Sequence, residues 1–318
     1  MKKLALLLGS LLVVGATASA KEAVVAPVEV SKEVVVVAEP VAEVVVVEET
    51  PLLKVTKFGM YTEIDNNAGS ADGDIGLTYL GTKLGLASGS GDWTYGVHAY
   101  RAWTLDSDEG VIDGANDRRL ELDAWRNFNR TSDFKYSLGA RARFAGSYDR
   151  YYARAKYSYG FVSGSLDLMH QSANDSSDKN DNHRVEVMPL NLTFGPLTLG
   201  YNFQGVRETG DVAENANRVE SAEHQLRAYF PLYSVGKFSS DAEIRLGLKK
   251  DSTAADKTAK NEKDYDFGDL QRYGINTNYQ YSENLSFSVS YLYEIIKYST
   301  EARKEYYGEF VAGWDYKF

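Results

Sequence analysis

The stretch EYYGEFVAGWDYKF, residues 305–318, decides how the chain is read. Tyr306, Gly308, Phe310, Ala312, Trp314, Tyr316 and Phe318 fall on one parity, and Glu305, Tyr307, Glu309, Val311, Gly313, Asp315 and Lys317 on the other. Alternation with a period of two marks a β-strand with one apolar and one polar face. The apolar side ends in aromatics, whose amphipathic rings suit a membrane–water interface.

Upstream the pattern repeats. In residues 134–145 Phe134, Tyr136, Leu138, Ala140, Ala142 and Phe144 alternate with Lys135, Ser137, Gly139, Arg141, Arg143 and Ala145. Residues 150–159 and 238–248 alternate in the same way. One greasy and one charged face is the lipid-out, water-in pattern of a membrane barrel. Strands are predicted near 52–64, 75–87, 93–105, 118–129, 134–145, 150–159, 163–172, 183–194, 197–207, 221–233, 238–249, 267–281, 285–298 and 304–318. The count, about fourteen, is even, as single-chain bacterial barrels require.

The connections fall into two interleaved sets. Residues 88–92, 130–133, 160–162, 195–196, 234–237 and 282–284 are short turns, whereas 65–74, 106–117, 173–182, 208–220 and 250–266 are longer. Short turns on one rim and long loops on the other match the periplasmic and extracellular ends of a barrel, with both termini periplasmic. A soluble β-sandwich also alternates, but lacks this rim asymmetry and the terminal Phe. Arg101, Arg126 and Lys297 take lipid-facing parity near strand ends, where long side chains snorkel. Pro189 separates Val185 and Val187 from Leu190, Leu192 and Phe194 on the opposite parity, which predicts a bulge.

Composition agrees. The 318 residues include 23 Tyr, 27 Gly, 6 Pro and no Cys, at a formal charge of −10. Without Cys there is no disulfide scaffold, thiolate metal site or Cys nucleophile. Tyrosine excess with negative mean hydropathy fits half-wet strands. Acidity argues against nucleic acid as a partner, because phosphate binding needs a basic footprint.

Three segments are expected. Residues 1–20, with Lys2, Lys3, an apolar run and Ala18-Ser19-Ala20, form a secretory signal peptide. Residues 21–51 nearly repeat a Val-rich run bounded by Glu and Pro and read as a low-complexity periplasmic spacer, with anchor and pore plug as alternatives. Residues 52–318 form the outer-membrane β-barrel, so the fold class is all-β, a transmembrane antiparallel up-and-down barrel.

Running alternate strands up and down places Asp123, Arg141, Arg154, Asp167, Arg227, Glu243, Arg272 and Glu309 inward near mid-height, with Glu121, Arg143, Lys156 and Arg245 beside them. These twelve are the predicted pore-lining residues. Arg141, Arg143, Arg150, Arg154 and Lys156 form a mostly basic wall on the fifth and sixth strands. Such rings and ladders set ion selectivity in an aqueous pore; alternatively the charges pair across strands and only stiffen the wall.

Catalytic signals are weak. Of His98, His170, His183 and His224 only His98 has inward parity away from a loop edge, and no nearby Ser or Asp completes a triad. No cluster has metal-ligand spacing, so no cofactor and no metal are expected.

The terminal strand resembles the closing strand of bacterial outer-membrane barrels. That resemblance implies that Phe310, Trp314, Tyr316 and Phe318 serve as the signal read by the barrel-assembly machinery. MKKLALLLGSLLVVGATASAKE, the Val/Pro/Glu spacer and the strand ending in GWDYKF together resemble the fusobacterial major outer-membrane porins of the FomA type. The resemblance implies a nonspecific porin for small hydrophilic solutes, set in outer-membrane lipid and lipopolysaccharide. A surface adhesin acting through its long acidic loops is the alternative. The short connection at 146–149 departs from trimeric porins, which fold a long third loop into the bore, and favours a monomer.

Overall fold

The computed structural model describes residues 52–66, 75–106, 111–174, 181–209, 219–254, 264–299 and 304–318. The predicted signal peptide and the spacer, anchor or plug of residues 21–51 lie outside the described residues. Among the described residues there are fourteen strands: β1 (Leu53–Asn66), β2 (Ile75–Ser88), β3 (Trp93–Asp106), β4 (Val111–Phe128), β5 (Phe134–Ala145), β6 (Tyr148–Tyr159), β7 (Val162–Ala173), β8 (Asp181–Phe194), β9 (Leu197–Thr209), β10 (Val219–Val235), β11 (Phe238–Ala254), β12 (Leu270–Gln280), β13 (Leu285–Lys297) and β14 (Lys304–Lys317). Each pairs antiparallel with its neighbours in sequence, and β14 closes on β1 in a register running from Lys57↔Lys317 to Asn66↔Gly308. Closure leaves no strand edge unpaired, which answers the liability of bare backbone donors and acceptors.

The period-two pattern sorts side chains as expected. On β5 Leu138 is 53% exposed on the outer face while Ser137 is 7% exposed on the inner one. Leu80, Leu122, Leu168, Leu199, Leu226, Ile244, Ile275, Val289 and Phe310 join Leu138 in an apolar belt around the outside. Phe58, Trp93, Phe134, Tyr159, Phe161, Phe194, Phe238, Tyr281, Phe287, Tyr316 and Phe318 gather near the rim that carries the chain end. Arg126 does more than snorkel, because its guanidinium lies 4.9 Å from the Phe128 ring and 5.7 Å from Trp93.

On that rim the connections are tight. Gly160, Gly195 and Gly236 open two-residue turns at φ of 54°, 58° and 59°, which a side chain would strain. On the opposite rim β5 and β6 are joined through residues 146–147 alone. Two predicted loops are shorter than the sequence suggested. β3 runs to Asp106 and β4 starts at Val111, so most of 106–117 is strand, and β11 continues to Ala254 opposite Val219. Gly114 and Asn116, of poor β-propensity, fall where the β3–β4 register shifts between Asp117, opposite Ala102, and Asp113, opposite Thr104; on either side pairing with β3 overrides propensity.

The bulge at Pro189 is present. The β8–β9 register shifts between Val187 and Leu190, and that of β7–β8 between Ser163 and Ser165. Tyr157 donates its hydroxyl to the Pro189 carbonyl at 2.6 Å.

Fourteen strands spaced about 4.8 Å apart and tilted about 40° give a backbone radius of about 14 Å, against about 8 Å for eight strands, whose interior side chains fill. The interior cross-section is therefore about three times larger.

Candidate functional site

The charged residues of the inner face form two ion-paired ladders. In the first, across β4–β7, Asp123 is the hub. Arg141 reaches it with two bonds, Nε to Oδ1 at 2.9 Å and Nη2 to Oδ2 at 3.0 Å, and Arg154 Nη1 donates to Oδ1 at 3.1 Å. Arg154 Nε continues to Asp167 at 3.0 Å. Glu121, 5% exposed, takes Arg143 at 2.7 Å and Arg141 at 3.3 Å. Register explains the wiring. Glu121 stands opposite Arg143 and Asp123 opposite Arg141 on β5, while Arg154 stands opposite Asp167 on β7.

The second ladder lies on β10–β13, where Arg227, Arg245, Arg272 and Glu294 stand opposite one another in one row. Like charges placed directly opposite repel. Each arginine is therefore met by an acid: Arg227 by Glu186 at 3.4 Å, Arg245 by Glu243, and Arg272 by Glu294 at 2.6 Å. Glu186 also takes Arg184 at 2.9 Å and the Asn202 amide at 3.2 Å.

Carboxylates compensate three of the five cations of the wall expected to be mostly basic. Arg141, Arg143 and Arg154 are each tied to carboxylates, and Arg150 donates to Gln171 at 2.7 Å. Lys156, like Arg150, meets no carboxylate among the described residues: its ammonium lies 4.6 Å from the Trp125 ring, which Arg154 approaches at 4.9 Å. Trp125 lies flat because its cross-strand neighbour is Gly139, where a Cβ would come within 2.5 Å of the indole. Glu309 faces inward in the same row as Glu243. It stands opposite Asp65 and beside Glu63, the three offering ligand atoms within 4.8 Å of one another, a grouping from β1 and β14 that no spacing in sequence could show. The Tyr307 hydroxyl donates to Asp65 at 2.8 Å and to Glu309 at 3.3 Å.

Three participants escaped the sequence reading. Glu186 and Glu294 have the parity to face inward, and the alternation Arg184-x-Glu186 was the available signal. Tyr265 gave none. It bridges to Lys250 from the β11–β12 connection, covers Gly247, where a Cβ would lie 2.5 Å from its ring, and is 1% exposed. Its hydroxyl donates to Glu223 at 2.9 Å, and it packs with Leu270, Ile296 and Tyr298. Burial first, and Glu223 second, push its phenol above the usual tyrosine range, so it stays a donor. The described end of this connection, at Tyr265, lies against the inner wall. His98 also faces inward and meets the Tyr61 hydroxyl at 2.7 Å.

A closed antiparallel barrel with an apolar outer belt and a charged inner wall is a transmembrane β-barrel, because in lipid every backbone group must be satisfied internally and only the outer face meets hydrocarbon. Soluble monomers seldom expose apolar patches beyond a few hundred Å².

No protein-family model matches the chain, and no curated protein matches it. Among solved structures it is similar to a bacterial polysaccharide outer membrane secretin at 11% identity and a TM-score of 0.48, over 85% of this chain and 100% of that one. An anion-selective porin from Comamonas acidovorans is similar at 12% identity and a TM-score of 0.41, over 84% and 100%. The outer membrane channel DcaP of Acinetobacter baumannii is similar at 13% identity and a TM-score of 0.41, over 84% and 97%.

Proposed function

We propose that the chain is an outer-membrane porin, a water-filled channel for passive diffusion of small hydrophilic solutes and ions. The observation that carries this reading is the inner face: two ladders of ion pairs on a wall about 14 Å from the axis, a distance side chains do not close as they do in eight-stranded barrels. Ion pairs held at a wet wall orient polar solutes without trapping them. The asymmetry of the rims supports periplasmic termini and an extracellular long-loop rim. The shared outward parity of Phe310, Trp314 and Tyr316 on β14, with Phe318 just beyond it, fits a strand end presented to the barrel-assembly machinery. Membership of the FomA-type porins remains part of the proposal, carried by the two ends of the sequence. The two-residue β5–β6 turn supports a monomeric pore without a constricting third loop.

The test is planar-bilayer conductance of the refolded mature protein in a salt gradient, with and without residues 21–51. Stable open steps in both forms are expected. Silence that ends on deleting residues 21–51 would make that segment a plug, and silence in both would overturn the channel.

A further inference from the structure

Below the Asp123 ladder, towards the short-turn rim, the inner wall carries an alcove of 540 Å³, a size suited to a small ligand. Its floor is a grid two rows deep and three strands wide. Ser137, Lys156 and Ser165 stand side by side on β5, β6 and β7, and Lys135, Ser158 and Ser163 stand side by side in the next row. Each lysine therefore has serines for its cross-strand neighbours, and the Lys156 ammonium rests 4.6 Å from the Trp125 ring. The two lysines sit on a diagonal of roughly 7–8 Å.

Compensation separates this patch from the ladders above it. Every ladder arginine meets a carboxylate, whereas no Asp or Glu lines the alcove among the described residues. Lys135 and Lys156 are exposed to the bore and form no ion pair among the described residues. The third cation at its edge is occupied: Arg130 donates to the carbonyls of Gly91 and Ser90 at 2.9 Å each and pairs with Asp92 at 3.3 Å. Ser137 is likewise committed to Asn127 at 2.8 Å, but Ser158, Ser163 and Ser165 make no side-chain hydrogen bond among the described residues. Asn191 closes the far side, buried, with its Oδ1 unpartnered.

We propose that this alcove is a binding subsite for a small hydroxylated anion, a sugar carboxylate or sugar phosphate. The acid group sits between Lys135 and Lys156, and hydroxyls exchange hydrogen bonds with Ser158, Ser163 and Ser165. The inference rests on the channel reading, since solutes reach the alcove through the bore. It adds a preferred solute class at one depth of the wall.

The experiment is single-channel recording of the full-length mature protein with gluconate, glucose 6-phosphate, glucose or sulfate as probe, together with titration calorimetry of the folded barrel in detergent. Gluconate and glucose 6-phosphate should block the current in a saturable way, and glucose should not. Lys135→Gln with Lys156→Gln should raise the half-blocking concentration about tenfold or more, the loss of two attractive charges at short range. Lys237→Gln, a charge change at the same rim but far from the grid, should leave the block unaltered. Equal block by sulfate, or block that survives the double variant, would overturn the assignment. Calorimetric binding without conductance would keep the subsite and sink the channel; conductance without block or heat would do the reverse.

Discussion

Asp123→Asn probes the wall at its most connected point while preserving shape. The carboxylate holds Arg141 by two bonds and Arg154 by a third, yet each arginine keeps another acid after the change, Glu121 at 3.3 Å and Asp167 at 3.0 Å. Asp123 is only 17% exposed, so its loss should cost more than the 0 to 1 kcal/mol of surface pairs and less than the roughly 3 to 5 of fully buried ones. About 1 to 2 kcal/mol is expected, too little to unfold a barrel. The selectivity effect is larger in proportion. One uncompensated positive charge about 6 Å from a passing ion is worth about 0.7 kcal/mol in bulk water, about threefold for an anion and the inverse for a cation. With a screening length of about 10 Å at 0.1 M, the anion-to-cation permeability ratio should rise roughly three- to tenfold. Reversal potential in a tenfold KCl gradient reads this directly, and the shift should shrink at 1 M salt. An unchanged reversal potential in a variant with normal open steps would refute the placement of Asp123 beside the conducting path. The balanced ladder also changes what charge reversal does: Arg141→Glu with Arg154→Glu would face Glu121, Asp123 and Asp167 and should destabilise the wall as well as favour cations.

Other expectations follow from single contacts. Gly139→Val must displace Trp125, whose ring lies 2.5 Å from the new Cβ, and overpacking of this kind costs about 1 to 3 kcal/mol; a smaller unitary conductance and a lower denaturation midpoint are expected, and wild-type values in both would show that the indole yields freely. Tyr265→Phe should cost about 0.5 to 1.5 kcal/mol through the lost bond to Glu223, and Tyr265→Ala about 3 to 5 through the cavity as well. Limited proteolysis of the β11–β12 connection should speed up in the alanine variant, and equal rates in all three proteins would detach this connection from the wall. Leu138→Arg on the outer belt should cost about 2 to 4 kcal/mol for folding into lipid vesicles. A cost near zero would mean that this face does not meet hydrocarbon.

The alternation of residues 305–318 and its recurrences determined the strands, their faces and the rim asymmetry, because a pleated strand turns every second side chain to the same side whatever its neighbours do. Pro189 likewise announced its bulge, since a residue without a backbone donor interrupts a ladder locally. Inward parity alone was enough to nominate Asp123, Arg141, Arg154 and Arg272. What parity leaves open is height, for a shift of register moves a residue along the axis without changing its face. Pairing across strands decided that Asp123 serves two arginines and that Arg227, Arg245 and Arg272 share a row. It also set Glu309 beside Asp65 from the far end of the chain, and Lys135 and Lys156 among serines. Glu186, Glu294 and Tyr265 took their places for the same reason. Charge compensation depends on distances of 3 Å between strands, and those are fixed only when the sheet has closed.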